Sequence, residues 1–549
     1  MSRRNKLKVR DKPKISVKNS GYSGGGASLS KKTLKSWFPS HYSAKSDIDA
    51  NLSTLRDRAA DLAINSPIGA AAIKTQVTGV INAGLKLFPR INGEVLGLSD
   101  DEAREWNRKT KREFELWAND FNCDFYGRNN FFELQRIAYT NELVDGDCFS
   151  VFRRRVPRGD NPYTLKLQLI EAARVSNPLG AGRGIVGGVP TIIEMEGKTK
   201  GSRIVNGIEV DRNGTIQAVW ISNRVWNEPF ALNPELKWQR VKVFGDNSGT
   251  RNILHLCFDT RIEQFRGEPY LAPVIETLKQ VSRYGDAELT SAIIKSFFSI
   301  FFVQPESNFD IYQIAGDEKP DITAPCLDVT DYKLGSGTMS ALPRGVDVKS
   351  IDSNNAQSTF ESFTNQFVQQ IGAALGVPSE VIQKSFKASY SASKAALLQA
   401  ADEFRQRRES FINDFCQPVY ENFLAEAVAL GRIDAPKFFD DPVLRREWCK
   451  ANWHNETSHL LDPTKEVQAS LLKIQSGLST YSKESAEICG TDYEENLRQL
   501  AIEKKLRENL GLDEGATVYN ENSNENFDSD SDEEGENENV QQDLSRRLP

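Results

Sequence analysis

The sequence predicts an α+β fold that is mainly helical, with one β-rich module ahead of a set of long helices. Residues 148–256 carry short alternating runs of apolar and polar residues separated by Gly, Asn and Pro, which is typical of strands and turns. Residues 269–303 and 359–431 instead keep apolar residues three and four apart, the period of an amphipathic helix. The 549 residues exceed one ordinary core, so two to four packed units are expected.

The chain ahead of the β-rich module changes from a basic segment to helices. Residues 1–45 are basic and rich in Gly and Ser, a composition typical of disorder in an isolated segment. Helical periodicity follows at residues 56–81 and 99–117. The second of these helices opens with Ser99-Asp100-Asp101-Glu102, and its acidic first turn suits the positive end of the helix dipole.

A long helix and an insertion follow the β-rich module. Pro273 suits the first turn of the helix, because no amide hydrogen is needed there. Its apolar face extends from Val274 to Ile300. Residues 304–355 return to Pro, Gly and Asp with short apolar runs, so they are expected to form an insertion between two helices.

The helix after the insertion stops abruptly at Gly376 and Pro378. Glycine readily adopts the left-handed conformation beyond a helix end, and proline has no amide hydrogen to continue the ladder. A basic, Ser-rich loop comes next, in which Ser391 is the expected N-cap of a very long helix. That helix is predicted to continue to Gly431, with a kink at Pro418.

Composition argues against a membrane or secreted protein. The longest candidate for a membrane span, residues 293–303, is too short and contains a lysine. The basic N-terminus lacks the apolar stretch of a secretory signal. An odd number of cysteines without a CxxC pair favours a reducing cytoplasm and buried free thiols. The seven cysteines are Cys123, Cys148, Cys257, Cys326, Cys416, Cys449 and Cys489.

Short motifs that resemble catalytic or ligand-binding sites lack their required context. Ser23 lies in a GxSxG pattern, but no strand precedes it as a nucleophile elbow requires. Residues 197–199 resemble the end of a phosphate loop, but its first glycine is missing. His454 and His459 are five residues apart, which does not place two ligands on one helix face. We therefore predict no catalytic, cofactor or metal site, and both histidines are expected in a loop.

The net charge of −7 is concentrated in the C-terminal tail. From Glu521 onward the chain has ten acidic and two basic residues, a charge of −8, so the remainder carries −7 + 8 = +1. A tight nonspecific DNA-binding domain is usually strongly basic, because its affinity comes from phosphate neutralisation. The nearly neutral remainder of this chain lacks that charge, and near-neutrality is also the default for a cytoplasmic protein.

Several ordered segments resemble one protein family. Leu375-Gly376-Val377-Pro378, Ser389-Tyr390-Ser391 and Lys394-Ala395-Ala396-Leu397-Leu398 follow one another here. Residues 206–218, 261–287 and 461–503 show the same likeness. Together they resemble the portal proteins of tailed bacteriophages, in particular the lambda-like portal family, over about residues 59–510. The chain departs from the family pattern at Ala392, where a second Ser is more common, and at Lys394, where Arg is common.

The resemblance implies a portal fold and divides the chain into nine segments. They are a basic N-terminal segment (1–45), a mixed α/β wing (46–268), a stem helix (269–303), a clip (304–355), a second stem helix (356–383), a tunnel loop (384–392), a long kinked helix (393–431), a helical crown region (432–512) and an acidic disordered tail (513–549).

The resemblance also implies a function and its partners. A portal protein is a non-enzymatic subunit of a dodecameric ring at one capsid vertex, through which DNA is packaged and ejected. Its partners are terminase, which docks at the clip, the major capsid protein, head-completion or tail connector proteins, and double-stranded DNA bound without sequence specificity. The setting is the virion, and the host cytoplasm during assembly. The expected tunnel-loop residues are Lys384, Phe386, Lys387, Ser389, Tyr390, Ser391 and Lys394.

Two alternatives remain open from the sequence. One is a head maturation serine protease, or another hydrolase, that uses Ser23. The other keeps the portal fold but places it in a gene transfer agent or a defective prophage. Lysines in a Ser-rich turn are usually only solvated, and Arg405, Arg407 and Arg408 are expected to be solvated or paired with neighbouring glutamates.

Overall fold

The computed structural model divides the chain into two compact units, Met1–Asn455 and Glu456–Pro549. The structure describes residues 22, 26–156, 159–178, 193–194, 201–225, 235–246, 249–296, 300–303, 347–350, 357–386, 389–455 and 463–512.

Helices dominate the first unit, as the sequence predicts. They are α1 (Leu52–Asn65), α2 (Pro67–Val80), α3 (Gly93–Leu96), α4 (Asp100–Ala118), α5 (Phe131–Asp145), α6 (Ile275–Ser296), α7 (Gln357–Leu375), α8 (Ser379–Gln383), α9 (Tyr390–Phe411), α10 (Gln417–Ala429) and α11 (Pro442–Trp448). The strands are β1 (Lys86–Pro89), β2 (Asp147–Arg154), β3 (Leu165–Glu171), β4 (Ile193–Glu194), β5 (Arg203–Val205), β6 (Ile208–Val210), β7 (Ile216–Ser222), β8 (Trp238–Lys242), β9 (Ile253–Cys257), β10 (Ile300–Val303), β11 (Asp347–Ser350) and β12 (Ala451–His454).

The predicted β-rich module is present as two antiparallel sheets. One has the order β3-β2-β9, and the other has the order β4-β5-β6-β7-β8. In the first sheet Cys148 of β2 lies opposite Glu171 on one side and Leu256 on the other. The fold is therefore α+β and mainly helical, with its strands concentrated where the alternating runs occur.

The predicted helix at residues 56–81 is two helices. Ser66 has an extended backbone and its Oγ accepts the N–H of Gly69, so it begins α2 as an N-cap. Pro67 then occupies the first turn, where its missing amide hydrogen costs nothing. The predicted start of α4 is confirmed, because Ser99 and Glu102 form a reciprocal capping box.

The helix predicted at residues 269–303 is shorter. A 3₁₀ turn at Ala272–Val274 leads into α6, which ends at Ser296. The run Ile300-Phe301-Phe302-Val303 forms β10 instead, paired with β11. β-Branched and aromatic side chains favour a strand, which explains why the helical spacing did not extend through Ile300. The predicted clip lies outside the described residues except for 347–350.

The stop of α7 is confirmed, and the helix that follows begins earlier than predicted. Gly376 has φ +72°, and the N–H of Val377 donates to the carbonyl of Gly372 over 3.0 Å. The N-cap of α9 is Ser389, two residues before the predicted Ser391. The short helix α8, which was not predicted separately, occupies part of the intervening stretch.

The long helix is interrupted by one wide turn. Between α9 and α10 lies a π-helical turn, Ile412–Cys416, directly before Pro418. A proline inside an α-helix would clash with the carbonyl of Asp414 four residues back, and a π turn changes the hydrogen-bonding partners at that position. The expected end of α10 is confirmed by Gly431, which has φ +69°.

Aromatic side chains from α4, α5 and α10 form the centre of the first unit. The ring of Phe114 meets those of Phe131 and Phe423 edge to face, with centroids 5.6 and 5.2 Å apart. Residues 432–455, assigned to the crown region from the resemblance, pack into this unit. Here β12 pairs with β1, and Trp448 packs against Trp106 with ring centroids 5.0 Å apart.

The second unit contains α12 (Pro463–Gln475), α13 (Tyr481–Cys489) and α14 (Tyr493–Asn509), as the helical prediction for this region requires. Tyr481 stacks on Tyr493 with ring centroids 5.2 Å apart, and Lys473 pairs with Glu484 over 3.6 Å. Across the described residues of both units, no helix combines the length and apolarity needed to cross a bilayer.

A buried ionic network joins strands β2 and β9 to the chain that enters α6. Asp147 at the start of β2 is fully buried and accepts Nε of Arg266 over 2.7 Å and Nη2 of Arg56 over 2.8 Å. Nε2 of His255 lies 3.3 Å from the same carboxylate. The guanidinium of Arg266 also donates to main-chain carbonyls. These belong to Ala172, Val175 and Asn206.

Two glycines permit the close backbone approach at this network. A Cβ on Gly267 would lie 1.8 Å from the carbonyl oxygen of Gly146, and Gly146 itself has φ +89°. The N–H of Gly267 donates to Asp147 over 3.2 Å. Burial by itself would raise the pKa of Asp147, but Arg266 and Arg56 outweigh it and hold that pKa well below its usual value.

We expect Asp147→Asn to destabilise the first unit by about 3–5 kcal/mol near neutral pH, because it leaves buried guanidinium groups without a compensating charge. The folded-state pKa of Asp147 is depressed, so its contribution is present above the unfolded-state pKa of about 4 and is lost as the pH falls below that value. Urea unfolding of the parent and of Asp147→Asn at several pH values between 7 and 3 measures the difference in their free energies of unfolding.

The matched control is Asp101→Asn, because Asp101 is almost fully exposed and pairs with Arg104 only loosely, at 3.5 Å. It should shift the free energy of unfolding by less than about 0.5 kcal/mol. Equal stability of the two variants at pH 7 would show that the Asp147 network is not structurally important.

Candidate functional site

The predicted tunnel-loop residues lie between α8 and α9, but they are not all in a loop. Lys384 ends α8 in the left-handed conformation, with φ +53°, and its N–H donates to the carbonyl of Glu380. The N–H of Ser385 donates to the same carbonyl over 3.1 Å. Phe386 follows with an exposed ring, and Lys387 lies outside the described residues.

The other predicted residues belong to the start of α9. The carbonyl of Ser389 accepts the N–H of Ser393 over 2.9 Å, so the helix is already formed at Tyr390. Tyr390 and Ser391 therefore lie on its first turn, which corrects their predicted loop position, and Lys394 lies on the helix as its predicted bounds require. Nζ of Lys394, one turn further along the helix, lies 5.9 Å from the ring centroid of Tyr390.

Hydroxyl and amide groups converge at this helix start. The Oγ atoms of Ser389 and Ser391 lie 3.2 Å apart. The first backbone N–H groups of an α-helix have no acceptor within the helix, and Ser389 makes no side-chain cap hydrogen bond to them. With Lys394 nearby, these groups form a positive end that can contact phosphate oxygens.

A buried hydrogen-bond chain fixes the end of α7. This helix precedes α8 and residues 384–394, here called the segment. The hydroxyl of Tyr270 donates to the carbonyl of Leu375 over 2.7 Å and accepts Nε2 of Gln76 over 2.8 Å. Burial raises the pKa of Tyr270 to about 12, so the hydroxyl keeps its proton and remains a donor. Arg407, paired with Glu403 over 2.6 Å, lies over the Tyr270 ring.

Arg408 and Phe404 fix α9 to the end of α2. Arg408 donates to the carbonyls of Gly79 over 2.6 Å and Val80 over 3.0 Å, where the helix leaves carbonyls unsatisfied. A Cβ on Gly79 would lie 2.5 Å from the ring of Phe404, so glycine is required for this contact.

These contacts show the partners of the three arginines that the sequence predicts to be solvated or paired with glutamate. Arg407 pairs with Glu403 as expected, whereas Arg405 pairs with Asp402 over 3.6 Å. The expectation for Arg408 is wrong, because it is a capping residue for another helix. The sequence could not reveal this, because α2 lies more than 300 positions away along the chain.

The segment therefore connects two helices, α8 and α9, that are each packed against the core. Ile382 before it and Ala400 after it are buried, while Lys384, Phe386 and Tyr390 between them are exposed. Short exposed segments held by packed elements can move without disturbing the core. The segment therefore exposes cations, hydroxyl groups and aromatic rings that a ligand could contact.

Other sequence predictions are resolved elsewhere in the first unit. His454 lies on β12 with its ring 5.3 Å from that of Phe88, so its predicted loop position is wrong. His459, Ser23 and residues 197–199 lie outside the described residues. In the part of the chain that the structure describes, no three His, Cys, Asp or Glu side chains are placed to hold a metal ion.

The cysteines that the structure describes are all free, but not all are buried. Cys123, Cys148, Cys416 and Cys449 are buried as expected. Cys257 is half-buried and Cys489 is exposed, which corrects the prediction for these two residues. Cys326 lies outside the described residues.

Comparison with known proteins places the chain in a family. The sequence profile of the family described as phage portal protein, lambda family, matches residues 30–408, more than half of the chain. The chain therefore belongs to the lambda family of phage portal proteins.

Individual relatives are distant but cover nearly the whole chain. Portal protein B of Escherichia phage lambda is 22% identical over 508 residues, which cover 90% of this chain and 91% of that protein. The portal protein of Escherichia phage N15 is 23% identical over 521 residues, with the same coverage of each chain.

Solved structures with a similar chain come from gene transfer agent particles. A chain of the native virion has 12% sequence identity and a TM-score of 0.38, covering 79% of this chain and 92% of that one. A chain from the neck of the empty particle has 13% identity and the same TM-score and coverage.

Family membership excludes one of the two alternatives that the sequence left open. Portal proteins are structural and non-enzymatic, so the hydrolase interpretation based on Ser23 is excluded. Portal proteins of this family form an oligomeric ring in the virion neck. This chain is a portal component of the virion.

We expect Tyr270→Phe to loosen the end of α7 and the segment after it, because the substitution leaves the Leu375 carbonyl and the buried Gln76 amide without a partner. The loss should be about 1–3 kcal/mol. Hydrogen exchange of residues 372–386 should accelerate, and urea unfolding gives the total change. Tyr126→Phe is the control, because it removes the hydroxyl of an exposed tyrosine that accepts a hydrogen bond from Gln168 on β3, away from the end of α7. Unchanged exchange in Tyr270→Phe would contradict the anchoring role.

Proposed function

We propose that twelve copies of this chain close into a ring around a channel through which double-stranded DNA enters and leaves the capsid. Family membership is the observation that carries this proposal. The geometry of α6 and α7 supports it, because the two helices form a packed pair with apolar positions left uncovered.

Aromatic rings hold α6 and α7 together. The ring of Tyr284 on α6 lies 5.4 Å from that of Phe360 and 4.7 Å from that of Phe363, centroid to centroid. Phe363 also meets Phe367 at 4.6 Å. These contacts make the helix pair a stiff element, as a stem that lines a channel requires.

The same pair leaves apolar side chains exposed. Leu289 and Ile293 on α6 and Phe363 on α7 remain accessible to solvent in the single chain. In a ring, each copy offers one surface and receives its neighbour on a different one. Uncovered apolar positions on a stiff helix pair are suited to such a contact between adjacent stems.

Residues 384–394 would then face DNA. In a ring, each exposed lysine becomes a circle of positive charge, and each contact with a phosphate is weak and screened by salt. The nearly neutral remainder of the chain adds little further attraction. DNA would therefore touch the ring repeatedly and still slide.

The remaining assignments follow from the family. The clip at residues 304–355 would dock terminase during packaging, and the assembled ring would contact the major capsid protein and later the head-completion or tail connector proteins. The particle would be a phage or, in the alternative setting, a gene transfer agent or defective prophage. Genome neighbourhood distinguishes the two settings.

Electron microscopy of the purified chain tests ring formation. We expect rings with a central hole in buffer without nucleotide or divalent metal, because packing between copies supplies the association energy. The purified rings should also show no ATPase activity once terminase is removed. A protein that stays monomeric at every concentration, or that hydrolyses ATP by itself, would contradict the proposal.

Replacing both Lys384 and Lys387 by Ala tests the DNA contact. We expect normal ring assembly and incorporation into capsids, with altered packaging or retention of DNA, since the change removes two circles of positive charge. The control Lys384→Arg with Lys387→Arg keeps the charge and should behave like the parent. Parental packaging and retention in the Ala variant would show that the segment does not contact DNA.

A further inference from the structure

The charge of the chain ahead of the acidic tail is the sum of two opposite parts. Residues 1–46 contain twelve basic residues and one acidic residue, a charge of +11. Residues 1–520 together carry +1, so residues 47–520 carry +1 − 11 = −10. Phosphate groups are therefore attracted by the first 46 residues and repelled by the net charge of the residues that follow.

Residues 26–46, here called the N-terminal arm, are the part of this basic region that the structure describes without interruption. From residue 12 to residue 46 the chain contains no Asp or Glu. The carbonyl of Lys31 accepts the N–H groups of Leu34 and Lys35 over 3.0 and 2.9 Å. Residues four apart in such a turn are neighbours, so Lys31 and Lys35 lie on one side and Lys32 adjoins them. The arm therefore concentrates three cations in a single turn.

The three lysines are available to a ligand. Lys31, Lys32 and Lys35 are exposed, and no carboxylate among the described residues lies within ion-pairing distance of them. Elsewhere in the first unit, cations such as Arg407 are paired, in this case with Glu403. An anionic ligand of the arm therefore does not have to displace an existing ion pair.

The base of the arm is fixed to the first unit. Arg261 pairs with Asp47 over 2.7 Å and donates to the carbonyl of Tyr42 over 2.6 Å. Nζ of Lys45 lies 3.4 Å from the carboxylate of Glu263. The carboxylates of Asp47 and Glu263 are thus each paired with a cation at the base and do not neutralise the three lysines.

Exposed aromatic rings follow the lysines directly. Trp37 and Phe38 are 65% and 72% exposed. Cations beside exposed rings are the combination with which proteins bind nucleic acids, because the cations neutralise phosphates and the rings stack on unpaired bases. Duplex DNA also carries one negative charge per roughly 1.7 Å of its axis, so several phosphates lie within reach of one turn of the arm.

We propose that the N-terminal arm is a nucleic-acid-binding site. Lys31, Lys32 and Lys35 contact neighbouring phosphates, and Trp37 and Phe38 stack on bases where these are unpaired. Binding is independent of sequence, because the lysines contact only the phosphate backbone. The inference goes beyond the proposed function, since it requires neither a ring nor a channel and does not involve residues 384–394.

Binding of the full-length chain to a covalently closed circular DNA at several salt concentrations tests the lysine contacts. A closed circle has no end that could enter a closed ring, so it reports surfaces outside the channel. Replacing Lys31, Lys32 and Lys35 together by Gln should reduce the slope of log K against log salt by about 2.7, because each phosphate contact contributes about 0.9. The affinity at low salt should fall by about ten-fold or more.

Two controls separate these contacts from the net charge of the chain. Arg at the same three positions keeps the charge and should bind like the parent. Gln at Lys504, Lys505 and Arg507, which are exposed on α14, removes the same charge in the second unit and should leave the slope unchanged. An unchanged slope in the arm variant, or an equal decrease in the α14 variant, would overturn the proposal.

Single-stranded and duplex DNA share the phosphate backbone, and the aromatic rings distinguish between them. Trp37→Ala with Phe38→Ala should weaken the binding of oligothymidine by about ten-fold, because its bases are free to stack on the rings. Binding of the closed duplex should hardly change, because its bases are already stacked. Phe121→Ala, at an exposed ring outside the arm, should affect neither ligand. Parental affinity of the double variant for oligothymidine would show that the rings are wrongly assigned.

Competition separates a nucleic acid from an acidic protein partner. Poly-glutamate, added at the same concentration of negative charge as unlabelled DNA, should displace the bound DNA only weakly, because its charges are more widely spaced along the chain. Equal displacement by the two polymers would show that the arm accepts any polyanion, and the proposal would be wrong. Normal rings without arm-dependent DNA binding would also overturn this inference and leave the proposed function intact. Failure of the parent chain to form rings would instead overturn the proposed function alone.

Discussion

The buried pair of Asp147 and Arg266 is the interaction on which the rest of the first unit depends. Burying two charges is costly. Here the cost is offset because Nε, Nη1 and Nη2 of Arg266 each donate to an acceptor. Arg266 connects β2 with the carbonyls of Val175, which follows β3, and of Asn206, which lies between β5 and β6. One side chain therefore sets how the chain enters α6.

That entry also determines the position of the candidate DNA-facing segment. Tyr270, four residues after Arg266, holds the last carbonyl of α7 and is itself held by Gln76 of α2. Arg408 of α9 donates hydrogen bonds to the carbonyls at the C-terminal end of the same helix, α2. The segment between α8 and α9 is thus short, and the helices α7 and α9 on either side of this region are both tied to α2. A short segment between anchored helices suits repeated, weak contact with DNA in the function proposed above.

The exposed surfaces of the single chain are consistent with a subunit made for assembly. Exposed apolar side chains occur on α6 and α7 and, separately along the chain, among residues 29–42. Residues 26–46 are basic as well as aromatic, whereas the exposed residues Leu289, Ile293 and Phe363 on α6 and α7 are apolar. Complementary rather than identical surfaces are what a ring of repeated head-to-tail contacts needs.

The sequence alone determined the features that depend on near neighbours in the chain. The capping box of Ser99 and Glu102, the stop at Gly376, the β-rich module and the ordered motifs of the portal family were all predicted, because local backbone chemistry and residue spacing specify them. The start of α9 was misplaced by a few residues, since several serines can serve as an N-cap.

Only the tertiary structure decided the contacts between distant positions. Arg408 was expected in solvent or beside a glutamate, yet it binds carbonyls at Gly79 and Val80. The single predicted helix acquired a π turn before Pro418, and residues 432–455 joined the first unit through β1. The physical reason is the same in each case. A side chain or backbone group takes whichever partner the packing of remote elements brings within hydrogen-bond distance, and sequence spacing carries no record of that distance.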